Sequence, residues 1–101
     1  MKRVGETLRE LRTKNHLLLR EVASAIQIDQ TLLSKIERDE RLPTEQQVKS
    51  LSKFYRVEDN NILLAYLSDR VIMELEGQPL AKEALNMAQV KIQKVKPKTK
   101  K

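Results

Sequence analysis

Apolar residues recur along this chain at helical intervals almost from its first residue. Val4, Leu8 and Leu11 stand at i, i+4 and i+7 with charges between them, which predicts an amphipathic helix over residues 4–14. Asn15-His16 interrupts the pattern. A second helix is predicted from about Leu19 to Ile26, with Val22, Ala23 and Ile26 inward. A third follows from about Gln30 to Arg38 and buries Leu33 and Ile36. Between them Gln27-Ile28-Asp29 reads as a short turn, and Asp29 is expected to accept from the free N–H groups of the third helix as its N-cap.

Asp39 to Pro43 is a charged loop. Thr44-Glu45-Gln46-Gln47 has the form of a capping box, Thr at the N-cap and Gln at N3, opening a fourth helix that reaches Phe54 or Tyr55 with Val48 and Leu51 on its inner face. After Arg56-Val57-Glu58 a fifth helix is predicted to start near Asp59. It holds the unbroken apolar run 62–67 and continues to Leu75, with Gly77 and Pro79 as its stop. A sixth runs from about Leu80 to Val95. Its Ala81, Leu85, Ala88, Ile92 and Val95 step by 4, 3, 4 and 3, the spacing of a coiled-coil seam.

Composition narrows the class. The chain has 101 residues, no Cys, no Trp, two Gly and three aromatic side chains (Phe54, Tyr55, Tyr66). That excludes a disulfide scaffold, a cysteine zinc site and a thiol nucleophile, and it disfavours sandwiches and barrels. No run approaches the roughly 18 apolar residues of a membrane span. Met1-Lys2-Arg3 leads into no apolar leader segment, so a cytoplasmic protein is expected. No Gly-rich phosphate loop, nucleophile elbow or metal motif is present, and the one histidine, His16, has no second His or Cys to help it hold a metal. The expectation is a non-enzymatic protein with no cofactor, no catalytic residues and no metal site.

The formal net charge of +6 is unevenly placed. The first 56 residues carry 12 basic and 8 acidic side chains, residues 57–90 carry 2 against 6, and the last eleven carry six lysines and no acid. A basic segment therefore precedes an acidic one, and a lysine-rich tail over 96–101 is expected to be disordered.

Two short helices joined by a tight turn within a helical bundle are the helix-turn-helix arrangement. Arg20-Glu21-Val22-Ala23, Ile26, Ile28-Asp29 and Leu33-Ser34-Lys35-Ile36-Glu37-Arg38 together resemble the phage-repressor/Cro type of the XRE family. Leu8-Arg9 and Leu11-Arg12 in front, and Arg41-Leu42-Pro43-Thr44 behind, extend the resemblance over about residues 3–67. It implies an all-α fold: a five-helix repressor-like DNA-binding bundle over 1–67, with an additional C-terminal helical extension over 68–95 and the basic tail.

The resemblance also implies roles. The third helix would lie in the major groove of double-stranded DNA with Gln30, Thr31, Leu32 and Lys35 at base edges. Gln pairs with adenine, Lys with guanine, and Thr or Leu packs on a thymine methyl. Ordinary solvated polarity is the rival for Gln30 and Thr31, and a phosphate contact for Lys35. Leu32 is either a thymine reader or part of a protein-facing patch. Ser34, Arg38 and Arg41 suit phosphate oxygens, which position a protein without reading sequence. Arg12 and Glu37 match a pair that forms an internal salt bridge in this family.

The chain also departs from the family pattern. Leu18 and Leu19 replace a polar N-cap and a phosphate-binding Gln, leaving two leucines at the DNA-facing rim; the other possibility is that Leu17 and Leu18 are core and only Leu19 is exposed. Gln27 and Asp39 stand at positions usually given to Gly, where left-handed backbone costs on the order of 1–2 kcal/mol. Leu64, Leu67 and Val71 in the fifth helix, with Leu85 and Ile92 in the sixth, are expected to serve dimerisation, though the sixth-helix seam packs equally well within one subunit. The leading expectation is a transcriptional regulator, a repressor or small controller of a neighbouring gene, acting as a homodimer. The alternative is an antitoxin-like or adaptor module that meets an unidentified protein partner through Leu18, Leu19 and Leu32.

Overall fold

The computed structural model describes residues 2–57 and 60–95, and the 96–101 tail lies outside them. Among the described residues there are six helices and no strand: α1 (Val4–Lys14), α2 (Leu19–Ala25), α3 (Gln30–Glu37), α4 (Glu45–Tyr55), α5 (Asn61–Leu75) and α6 (Ala81–Lys94). The all-α class follows, with helix positions matching the periodicity to within a residue or two. The chain divides into two compact units, residues 1–71 and 72–101. The first thus reaches one turn past Leu67.

In the first unit each of five helices delivers two buried residues no more than a turn apart. They are Val4 and Leu8, Val22 and Ala23, Leu33 and Ile36, Val48 and Leu51, and Ile62 and Tyr66. Side chains three or four apart share one helix face, so five short amphipathic helices suffice to enclose one core.

The helix starts are satisfied in four different ways. Thr44 Oγ1 accepts from Gln47 N at 3.1 Å and Gln47 Oε1 accepts from Thr44 N at 2.9 Å, completing the expected box on α4. At α2 the cap residue is Leu18, which has no side-chain acceptor; only the return half exists, with Glu21 Oε1 accepting from Leu18 N at 2.7 Å. Asp29 is the N-cap of α3 by backbone geometry, but its side chain makes no capping bond, contrary to the sequence expectation. It stays exposed beside the helix's positive end, where a carboxylate is favourable without a formed bond.

The start of α1 is capped from far along the chain. Val4 N donates to Asp69 Oδ2 at 2.8 Å and Gly5 N donates to Asp39 Oδ1 at 2.9 Å. Asp69 is only 2% exposed and lies 3.7 Å from Arg3 Nε. A buried carboxylate is tolerated here because a helix N-terminus and a guanidinium replace its water. Folding Asp69 under α1 explains why the first unit extends to Val71.

The ends of α1, α2, α3 and α4 follow one rule. His16, Gln27, Asp39 and Arg56 all have φ between 57° and 61°. After each, the next N–H bonds back across six residues, as in Leu17 N to Arg12 O, Ile28 N to Ala23 O, Glu40 N to Lys35 O and Val57 N to Ser52 O. These are Schellman closures built without glycine. At Asp39 the side chain explains the choice, because a glycine could not cap Gly5. Nothing in the structure gives Gln27 a similar reason.

The second unit contains α6, which has no buried residue. Gly77, at φ 80°, follows the end of α5 as the sequence predicts. No helix among the described residues is long and apolar enough to cross a membrane.

Candidate nucleic-acid interface

α3 packs against both α1 and α2, and its two sides carry opposite chemistry. Leu33, Ile36 and Glu37 are buried, while Gln30, Thr31, Lys35 and Arg38 are exposed. Thr31, Lys35 and Arg38 stand at i, i+4 and i+7, so they form one outward stripe with Gln30 beside it. Ser34 is half-buried at the edge of that stripe, and Arg41 is exposed in the loop that follows. Leu32 differs from the other three proposed base readers: it is partly buried and packs against the core.

Glu37 faces inward to a cation. Arg12 Nε lies 2.9 Å from Glu37 Oε2 and 3.1 Å from Oε1, and Arg12 Nη1 donates to Leu17 O at 2.9 Å. One guanidinium thereby ties α1 to α3 and also holds the first turn. With side-chain exposures of 15% and 4%, the pair is largely shielded from water. Tyr55 shares this environment. Burial, and secondarily the negative charge of Glu37, push its hydroxyl up to about 12, with Arg12 opposing.

A raised tyrosine pKa means the folded chain holds that proton more tightly than the unfolded chain. The associated stability is fully present below the ordinary value of 10.0 and is lost as pH rises toward about 12. The phenolate absorbance step removed by Tyr55→Phe is expected near the upper value. The unfolding midpoint should fall over the same window in the native chain and less in the variant. A missing step centred on the ordinary value would contradict this.

The leucines at the start of α2 are placed differently from both alternatives raised by the sequence. Leu18 is exposed, while Leu17 and Leu19 are half-buried and pack against the core. The i, i+3, i+4 logic of α2 turns Leu19 toward Val22 and Ala23, and Leu18 precedes the helix altogether. The apolar patch envisaged for a protein partner is therefore reduced to Leu18, because Leu19 and Leu32 spend their surface on the core.

Among the described residues, Arg38 is the one proposed phosphate ligand whose side chain has a partner of its own. Its Nε lies 3.0 Å from Glu40 Oε2, in a pair whose members are both more than half exposed. Below it, between α1, α2 and α3, opens a cleft of about 190 Å³ lined by Arg9, Arg12, Leu19, Ser34, Glu37 and Arg38. Arg9 was not singled out by sequence reasoning, which saw it only as part of the resemblance.

The residues expected to serve dimerisation lie on exposed surface. Leu64, Leu67 and Val71 repeat at i, i+3 and i+7 on α5, and Leu85 and Ile92 are seven apart on α6. Their exposures run from 41% to 71%.

A family model described as a helix-turn-helix domain matches residues 3–64. Neither a curated protein nor a solved structure matches the chain.

Proposed function

We propose the function from a plain premise: this chain belongs to the helix-turn-helix domain family. The protein is a DNA-binding regulator that reads the major groove of double-stranded DNA with α3. Gln30, Thr31 and Lys35 meet base edges, Leu32 reaches a thymine methyl with what surface it retains, and Ser34, Arg38 and Arg41 hold phosphates. The observation that carries this reading is the two-sidedness of α3. Its inner face is locked by Leu33, Ile36 and the Arg12–Glu37 pair, while its outer face presents hydrogen-bonding and cationic groups with no role in the core.

One recognition helix specifies only a few base pairs, so the protein works as a homodimer on a palindromic operator with half-sites about 34–36 Å apart. The exposed stripes of α5 and α6 supply the apolar surface for that association. Repression or control of a neighbouring gene by occupancy of such a site is the regulatory outcome.

Selection from randomised duplexes is expected to yield a two-fold symmetric sequence. Gln30→Ala and Lys35→Ala should each weaken binding to it by about 1–3 kcal/mol, the worth of one bidentate base contact, and relax preference at one position per half-site. Binding without any selected sequence would overturn the reading in favour of a protein-docking module. Sedimentation as a monomer at tens of micromolar would overturn the dimer.

A further inference from the structure

We infer that the cleft between α1 and α3 is a seat for one backbone phosphate of duplex DNA, and that Arg9 is its principal cation. The inference rests on the DNA-binding reading above and adds to it a residue outside the helix-turn-helix proper.

The seat is set by how α1 lies on α3. Gly5, Arg9 and Arg12 stand at i, i+4 and i+7, on one face of α1. Both ends of that row touch the C-terminal half of α3 or the loop beyond it: Gly5 N meets Asp39 Oδ1, and Arg12 meets Glu37. Arg9 lies between two such contacts, so its side chain leaves α1 directly beside Ser34 and Arg38, with which it lines the cleft.

The charges in the cleft are unequally committed. Of its three guanidiniums, Arg12 is engaged by Glu37 and Leu17 O, and Arg38 by exposed Glu40. Arg9 is exposed and makes no hydrogen bond or ion pair among the described residues. The single carboxylate lining the cleft, Glu37, is already neutralised by Arg12. What remains is a free planar donor, a hydroxyl and a second guanidinium held only by a solvated ion pair, which exchanges readily for a phosphate. The fourth wall is Leu19, an apolar side chain packed against the core, so no polar group arrives from α2. Phosphate donors at this edge must come from α1 and α3, and Arg9 is the one cation lining it with no other partner among the described residues.

Arg9→Gln removes no hydrogen bond or ion pair among the described residues, so the variant should fold normally. Its binding is expected to weaken roughly five- to tenfold near 0.1 M salt, equally on selected and random duplexes, with the slope of log K against log salt shallower by about 0.9, as for one phosphate lost. Lys49→Gln, an exposed cation on α4, serves as the control and should change the slope much less. An unchanged slope in Arg9→Gln, or an equal change in Lys49→Gln, would overturn the seat while leaving the DNA reading intact. Absence of duplex binding by the native chain would sink both. Inorganic phosphate at matched ionic strength should give no saturable shift of the Ser34 amide; a saturable shift lost in Arg9→Gln would overturn the duplex backbone as its occupant.

Discussion

Glu37→Ala is expected to destabilise the protein by about 3 kcal/mol, at the low end of the cost of leaving a buried charge without its partner. The carboxylate receives two bonds from Arg12 Nε and is itself 4% exposed. Its removal strands a guanidinium that keeps one bond, to Leu17 O, and 15% side-chain exposure, which is why the loss stays below the top of that range. Arg12→Met should cost a similar amount for the mirror reason. The double variant Arg12→Met/Glu37→Ala removes both charges and should cost well under the sum of the two single losses. Denaturant unfolding of the four chains measures the coupling. If the double variant lost the full sum of the two single losses, the pair would contribute independent packing rather than charge neutralisation. Because Glu37 lies on the inner side of the proposed reading helix, the same variant should also lose sequence-specific DNA binding before it loses bulk helicity.

Gly5→Ala is expected to lower stability by about 2–3 kcal/mol, although alanine in a helix ordinarily gains up to about 1 kcal/mol over glycine. The sign is decided by distance. A Cβ at residue 5 would overlap Ile36 O and stand 2.6 Å from Asp39 Oδ1. The Asp39 side chain could rotate away, at the loss of its bond to Gly5 N, but Ile36 O is backbone of α3. Either α1 backs off or the last turn of α3 moves, and both options open the Arg12–Glu37 contact. With roughly 4–8 °C of melting temperature per kcal/mol for a domain this size, thermal unfolding by circular dichroism should show a fall of about 8–24 °C. A rise in melting temperature would mean the helices do not approach so closely in solution. The same shift would displace Arg9 from its place beside Ser34, so salt-dependent DNA affinity should fall along with stability.

Much of the fold was legible in the sequence because helices are local objects. The stripes of α1, α3 and α4, the Thr44–Gln47 box and the Gly77 stop all depend on residues within a few positions of one another. The left-handed residues at Gln27 and Asp39 were legible too, since their places in the helix-turn-helix pattern require that backbone whatever residue occupies them. The Arg12–Glu37 pairing came from the resemblance to a family and not from spacing, since 25 residues separate the partners. Leu18 and Leu19 could not be sorted from sequence alone. Adjacent leucines at a helix boundary point in directions set by where the first helical residue falls, and a shift of one residue exchanges them.

By itself the sequence determined the six helices, the helix-turn-helix pattern and the polar residues that lead α3. The tertiary structure decided which groups complete that framework. Asp69 caps α1 from 65 residues away and Asp39 from 34, Gly5 admits α3 to close approach, and Arg9 is brought to the edge of the proposed reading helix. Hydrophobic periodicity constrains each helix against its own neighbours three and four residues on. It carries no information about where two helices cross, and every one of these contacts exists only at a crossing.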